Sequence, residues 1–202
     1  MKITAIRQQE RLKDRFSVYV EGKYSFSLSD RALLDSKIAS GQEVTGEDIK
    51  RFQRLSAEDK LFGNAIRYAA MRLRSRWEIE QYLRRKEAAP EKADEIIDRL
   101  VGLGFVNDKI FAQRWVETRH LLKPTSKRKL QQELRAKHIA GDVIDEVLRD
   151  DETSDHQELR AMVEKKLRLP KYRDDQTKLM QYLARQGFGY QDIKSVLDSP
   201  VE

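Results

Sequence analysis

Ser75-Arg-Trp-Glu-Ile79-Glu-Gln-Tyr-Leu83-Arg-Arg-Lys86 overlays Ser126-Lys-Arg-Lys-Leu130-Gln-Gln-Glu-Leu134-Arg-Ala-Lys137 at an offset of 51 residues, and a further offset of 49 brings Asp175-Gln-Thr-Lys-Leu179-Met-Gln-Tyr-Leu183-Ala-Arg-Gln186 into register. In each copy two apolar residues four apart (Ile79 and Leu83, Leu130 and Leu134, Leu179 and Leu183) define the buried stripe of a helix. Three copies at a near-constant period mark a repeat architecture. An aromatic or aliphatic helix precedes each copy, around Tyr68, Trp115 and Met162, and a short helix follows, around Ile97, Val147 and Val196. The unit is therefore a three-helix repeat. Gly102 and Gly104 end the first, and Asn107 or Asp108 caps the opening of the second. A unit of this size is expected to pack on its neighbours, giving a mainly α chain of three tandem tri-helical repeats in an elongated rod.

Ahead of the repeats the period is two. Ile3, Ala5 and Ile6 are followed by Phe16, Val18 and Val20 alternating with polar neighbours, a turn at Glu21-Gly22, and Tyr24, Phe26 and Leu28 alternating again, which reads as a β-hairpin. Ser29 is positioned to cap a helix running through Ile38 to a stop at Gly41, and Thr45 with Asp48 to cap another. From about Ser56 the pattern changes to helical. The expected divisions are a head over 1–55 with a hairpin and short helices, then repeats over 56–105, 106–152 and 153–202.

Composition narrows the function classes. The 202 residues include 40 Lys plus Arg against 34 Asp plus Glu, 37% charged, nine Gly, four Pro and no Cys, so a disulfide framework, a Cys-ligated zinc and a cysteine nucleophile are all excluded. The N-terminal residues Met1 to Arg7 lack the apolar core of a secretory signal, and no stretch approaches the roughly 18 apolar residues of a membrane span. The expectation is a cytoplasmic protein with no membrane association. No nucleotide-binding glycine motif occurs, and Gly102-Leu-Gly104 follows a helix and lacks a third glycine. His120, His138 and His156 lie eighteen apart, match no metal-ligand spacing, and read as surface or helix-end residues. Asp150-Asp151-Glu152 reads as a loop. No catalytic residue, metal or cofactor is expected.

Charge is uneven: +2 over residues 1–66, +8 over 67–137 and −4 over 138–202. Among the outward positions of the middle helices, Arg76 matches Lys127, Arg84 matches Arg135, and Lys86 matches Lys137. The third copy puts Gln176, Ala184 and Gln186 in these places. A solvated helix face accounts for any one of these cations; three matched positions losing charge together is harder to attribute to it. With Arg74, Arg85, Arg119, Lys123, Arg128 and Lys129 around them, the pattern suits phosphate or carboxylate, in binding that is salt-sensitive and blind to base sequence. Trp77, Tyr82 and Trp115 have the chemistry to stack bases; at helical spacing Tyr82 and Trp115 read as core. In the head, Lys13, Arg15 and Lys23 read as exposed. The third repeat, in an acidic segment, is expected to lie away from phosphate.

The blocks Arg74-Ser75-Arg-Trp-Glu78-Ile79 to Leu83-Arg84-Arg85-Lys86, Ile97-Asp-Arg-Leu100, Gly104-Phe-Val-Asn-Asp108 and Phe111-Ala112 to Trp115-Val116 resemble, in order and spacing, the RecX family of regulatory proteins, which modulate the RecA recombinase. The resemblance covers about residues 60 to 198, and the hairpin head is similar, more loosely, to the N-terminal extension of longer members. One departure is Glu87-Ala-Ala-Pro90, where the family more often has glycine. The resemblance implies a non-enzymatic, usually monomeric protein of the bacterial cytoplasm that binds the RecA nucleoprotein filament and limits its extension or promotes its disassembly, with roles in DNA repair, recombination and the SOS response. The candidate contacts for the filament, or for weak nonspecific binding to single-stranded or double-stranded DNA, are the twelve cations from Arg74 to Lys137 named above. The competing reading is a nonspecific or helix-turn-helix-like DNA-binding protein unrelated to RecA.

Overall fold

The computed structural model describes residues 1–198. Its first elements are the strands β1 (Ile3–Gln8), β2 (Arg15–Val20) and β3 (Lys23–Ser29), joined as an antiparallel sheet in the order β1-β2-β3. Val20 pairs with Lys23, which leaves Glu21 and Gly22 as a two-residue turn, and both take positive φ (49° and 77°). That mirror-image turn matches the right-handed twist of the strands, and glycine at its second position adopts it without strain. Ile3, Val18, Val20, Phe26 and Leu28 bury one face of the sheet together with Ile38, Val44 and Phe52. The hairpin reading therefore holds and extends to a third strand.

Helix α1 (Asp30–Ser36) begins where the Ser29 side chain accepts from the Ala32 amide, and stops before Lys37, which sits in the left-handed region. Helix α2 (Gly46–Ala70) begins with a reciprocal capping box: the Thr45 hydroxyl takes the Asp48 amide and the Asp48 carboxylate takes the Thr45 amide. These bonds hold the Asp48 carboxyl below the usual carboxylate range. The short helix expected here is instead 25 residues long and passes Ser56 without interruption. Its length brings Ser56 and Asp59 beside the outer edge of β3, where they accept the amides of Ser27 and Ser29 at 3.4 and 2.9 Å. The edge strand is thereby covered. The same arrangement corrects the placement of Arg15, which is buried: Nη1 pairs with Asp59 at 2.9 Å and Nη2 donates to the Ser27 carbonyl at 3.0 Å.

The helices that follow are α3 (Arg76–Arg85), α4 (Pro90–Gly102), α5 (Asp108–Leu122), α6 (Lys127–Ala136), α7 (Gly141–Asp150), α8 (Asp155–Leu167), α9 (Pro170–Arg173), α10 (Gln176–Arg185) and α11 (Tyr190–Asp198). The fold is mainly helical with a small N-terminal sheet. The middle helices of the three copies are α3, α6 and α10, and all six stripe residues from Ile79 to Leu183 have no exposed surface. Leu130 and Leu134 gather Phe111, Ala112, Val116, Ile144 and Val147 into one core, and Leu179 and Leu183 gather Leu159, Met162, Val163, Ile193 and Val196 into another. Each middle helix is followed by a residue of positive φ: Glu87, His138 and Gly187. After Glu87 and His138 the chain closes with the same bond, Ala88 amide to Leu83 carbonyl and Ile139 amide to Leu134 carbonyl, a Schellman stop. Glutamate thus adopts the left-handed cap where glycine is the commoner choice, and Pro90 starts α4 at the position where a missing amide costs nothing. The third repeat carries the additional turn α9, which the 3.6 period did not disclose.

By compactness the chain forms two units, one of Met1–Arg72 with Tyr82–Leu100, the other of Leu73–Gln81 with the chain from Val101 onward. The second unit contains the start of α3 and the whole of the second and third repeats.

Candidate basic surface and the joints between repeats

Within the second unit the copies are linked by one polar joint used twice. Ser75 and Ser126, both fully buried, open α3 and α6, and each hydroxyl takes the amide three residues on (Glu78 at 3.3 Å, Lys129 at 3.2 Å). Each hydroxyl also donates forward to the middle helix of the next copy, Ser75 to the Lys137 carbonyl at 3.2 Å and Ser126 to the Gln186 carbonyl at 3.1 Å. The neighbouring amides follow suit: Arg76 donates to Asp108 Oδ1 and Lys127 to Asp155 Oδ1, both at 2.7 Å. The N-terminus of one middle helix thus meets the C-terminus of the next, positive dipole end to negative. Burial raises the Asp108 carboxyl above its ordinary range, and the Arg76 amide and charge pull it back down.

The joints absorb several candidate cations. Lys137 reaches Glu78 at 3.3 Å and lies 5.2 Å from the Trp115 ring centre, while at the matched joint Lys129 donates to the Arg185 carbonyl at 2.8 Å and to Gln186 Oε1 at 3.2 Å. Loss of water, with Lys123 nearby, lowers the Lys129 ammonium below the usual lysine range. Lys127 donates to the carbonyls of Leu148 (3.1 Å) and Asp151 (2.6 Å), closing the C-terminal end of α7. Arg119 pairs with Glu133 at 2.7 Å beside Trp115, whose indole N–H donates to the same carboxylate at 2.9 Å. Arg74 is 8% exposed. Arg74 is therefore no surface cation, and Lys127 and Lys137, expected to be exposed, are half-buried connectors. Gln186 is buried for the same reason, so its lack of charge belongs to the joint.

What remains outward is smaller. Arg76, Arg84, Arg85 and Lys86 are exposed, Lys86 lying 5.9 Å from the Tyr82 ring centre. In the second repeat Lys123, Arg128 and Arg135 are exposed, and Arg128, Gln132 and Arg135 form a stripe along α6 away from Leu130 and Leu134. Tyr82 stacks on Tyr68 at 4.1 Å and Trp77 on His138 at 4.4 Å, so the aromatics are used in packing. His120 sits at the helix end, in the last turn of α5, but is nearly enclosed, its Nδ1 2.8 Å from Glu158 and its Nε2 3.1 Å from Asp151. No spacing rule pairs residue 120 with 151 and 158, because the carboxylates come from the end of α7 and from α8. The matches that could have disclosed the joints, Ser75 with Ser126 and Asp108 with Asp155, were present in the repeat alignment.

Comparison with known proteins gives a consistent result. Family models described as the RecX N-terminal domain and the first, second and third RecX three-helix domains match residues 1–45, 62–100, 107–148 and 154–197. A regulatory protein RecX of Bacillus subtilis is 31% identical over 203 residues, spanning 97% of this chain and 76% of its own length. One from Listeria monocytogenes is 30% identical over 182 residues, and the match spans 66% of that protein's length. A crystal structure of a regulatory protein RecX superposes with a TM-score of 0.79 over 98% of this chain at 23% identity, a likeness of fold. RecX from Lactobacillus salivarius gives 0.60 over 70% of this chain at 26% identity.

Proposed function

The chain belongs to the RecX family of regulatory proteins, and from that premise we propose that it is a non-enzymatic regulator that binds RecA nucleoprotein filaments and lowers recombinase activity in DNA repair and recombination. The observation that carries this reading is the joint used twice. Ser75–Lys137 and Ser126–Gln186 repeat the same contact, so the chain uses one kind of joint at two successive boundaries between copies. A helical polymer of identical subunits presents its own sites at a constant step, so one chain can engage several subunits through similar contacts. The exposed cations Arg76, Arg84, Arg85, Lys86, Lys123, Arg128 and Arg135 are the proposed contacts to acidic protein surface or to DNA phosphate.

The joints cover the N-termini of α3 and α6, with Ser75 and Ser126 buried, so these two helix ends are not available to base edges. Filament binding is tested by pelleting RecA assembled on single-stranded DNA with a non-hydrolysable nucleotide. The chain is expected to co-sediment at a fixed ratio to RecA, whereas recovery in the supernatant at all ratios would count against the reading. Cytoplasmic localisation and a monomeric state complete the proposal; no helix among the described residues is long and apolar enough to cross a membrane.

A further inference from the structure

We propose that the corner formed by α8, α9 and α10 in the third repeat binds the phosphate backbone of nucleic acid. The negative total of the C-terminal third hides this surface. Eight of its fourteen carboxylates fall between Asp142 and Glu158, in α7, the loop after it and the opening of α8, whereas residues 165–173 contain five cations and no carboxylate.

The repeat register shows what has changed at this corner. Asp108 and Asp155 open equivalent helices 47 residues apart, so Lys166 occupies the place of Arg119, and Tyr182 that of Glu133. In the second repeat the Arg119 charge is cancelled by Glu133 at 2.7 Å. In the third, the Lys166 ammonium lies 4.4 Å from the ring centre of Tyr182 and 5.6 Å from that of Tyr172. An aromatic face attracts a cation through its quadrupole and leaves the net charge in place. The two rings therefore fix the position of Lys166 and keep its charge available. The four-residue turn α9, the element peculiar to this copy, supplies Tyr172 and adds Lys171, whose ammonium is 5.0 Å from the same ring centre.

Lys165, Arg168 and Lys171 are exposed, and of the five cations only Arg173 has a carboxylate partner among the described residues, Asp174 at 3.1 Å. The tyrosines are half-buried against the core and capped by lysine, so base stacking is not available and recognition is of phosphodiester charge. Single strands and duplexes both offer it, and base sequence does not enter.

The test uses the full chain and naked DNA, so it succeeds or fails independently of any recombinase. Anisotropy of a labelled single strand and of its duplex is followed between about 50 and 200 mM salt, where each phosphate contact contributes roughly 0.7 (single strand) to 0.9 (duplex) to the logarithmic slope. The triple variant Lys166→Gln, Arg168→Gln, Lys171→Gln is expected to bind both DNAs on the order of tenfold more weakly at the low-salt end, with a slope smaller by about two to three. Lys166→Arg, which keeps the charge over the rings, is expected to bind like the parent. If the triple variant melts early, Lys165→Gln with Arg168→Gln, which touches no ring, carries the test. Unchanged affinity and slope on both DNAs overturns the proposal. If the variant with unchanged naked-DNA binding is also lost from filaments in the separate pelleting assay, the corner is assigned to an acidic protein surface instead.

Discussion

The Ser126 hydroxyl lies 3.1 Å from the Gln186 carbonyl, 60 residues along the chain, and this bond reproduces that of Ser75 with Lys137 across 62. Since each serine also caps its own helix, replacing it removes a cap and a buried link at once. Ser126→Ala and Ser75→Ala are each expected to lower stability by about 1 to 3 kcal/mol, cap and lost hydrogen bond together. Chemical denaturation measures this; a loss within about 0.5 kcal/mol, typical of an uninvolved surface site, would remove the joint from the account.

Gly187 faces that serine. A methyl group added there would stand 2.3 Å from Ser126 Oγ, and the residue sits at φ 91°. Gly187→Ala is therefore expected to destabilise by more than about 1 kcal/mol from backbone strain alone. In the Ser126→Ala background the hydroxyl is absent, so the added cost of the alanine should shrink. Purely additive effects would mean that the two positions do not meet.

The Asp108 carboxyl holds its proton to higher pH than an unfolded aspartate, because burial disfavours the charge more than Arg76 favours it. Its charged form therefore costs stability, and the contribution of Asp108 falls as pH rises from about 4, the ordinary aspartate range. Asp108→Asn retains an oxygen for the Arg76 amide and carries no charge to bury. The variant is expected to gain on the parent as pH rises towards neutrality; falling behind over that range would show that the Asp108 charge stabilises the joint.

The repeat was legible because Leu83, Leu134 and Leu183 recur with their helical partners, and a buried stripe imposes its period on any sequence. Replacing any one of the three by Ala is expected to cost about 2 to 5 kcal/mol. The destinations of the cations were not legible. Lys127 and Arg128 are adjacent and chemically alike, yet one ammonium caps α7 while the other side chain is exposed. That difference depends on where the C-terminus of α7 comes to rest, which no periodicity states. Lys127, matched with Arg76, and Lys137, matched with Lys86, carry the charge the repeat shows, but these two lysines are held by partners inside the protein. Arg15 was misplaced for a similar reason: its partner Asp59 lies on a helix whose length the capping signals at Thr45 did not disclose.

That distinction separates two variants. Lys127→Gln with Lys137→Gln is expected to lower stability by about 1 to 3 kcal/mol, since charged hydrogen bonds to the Leu148 and Asp151 carbonyls and to Glu78 are lost. Lys123→Gln, Arg128→Gln and Arg135→Gln together are expected to leave the melting temperature near that of the parent and to weaken binding to DNA or filament. Thermal melts beside salt-dependent affinity decide it, and the reverse pattern would exchange the roles of the two groups.

The most direct test of the proposed function is RecA's ATP hydrolysis on single-stranded DNA, followed as this chain is titrated in. The rate should fall with added chain and reach a floor at a fixed ratio of chain to RecA. The triple variant at Lys123, Arg128 and Arg135 should require more protein to reach the same floor. A hydrolysis rate that stays constant up to saturating amounts of the folded chain would contradict a filament-binding regulator.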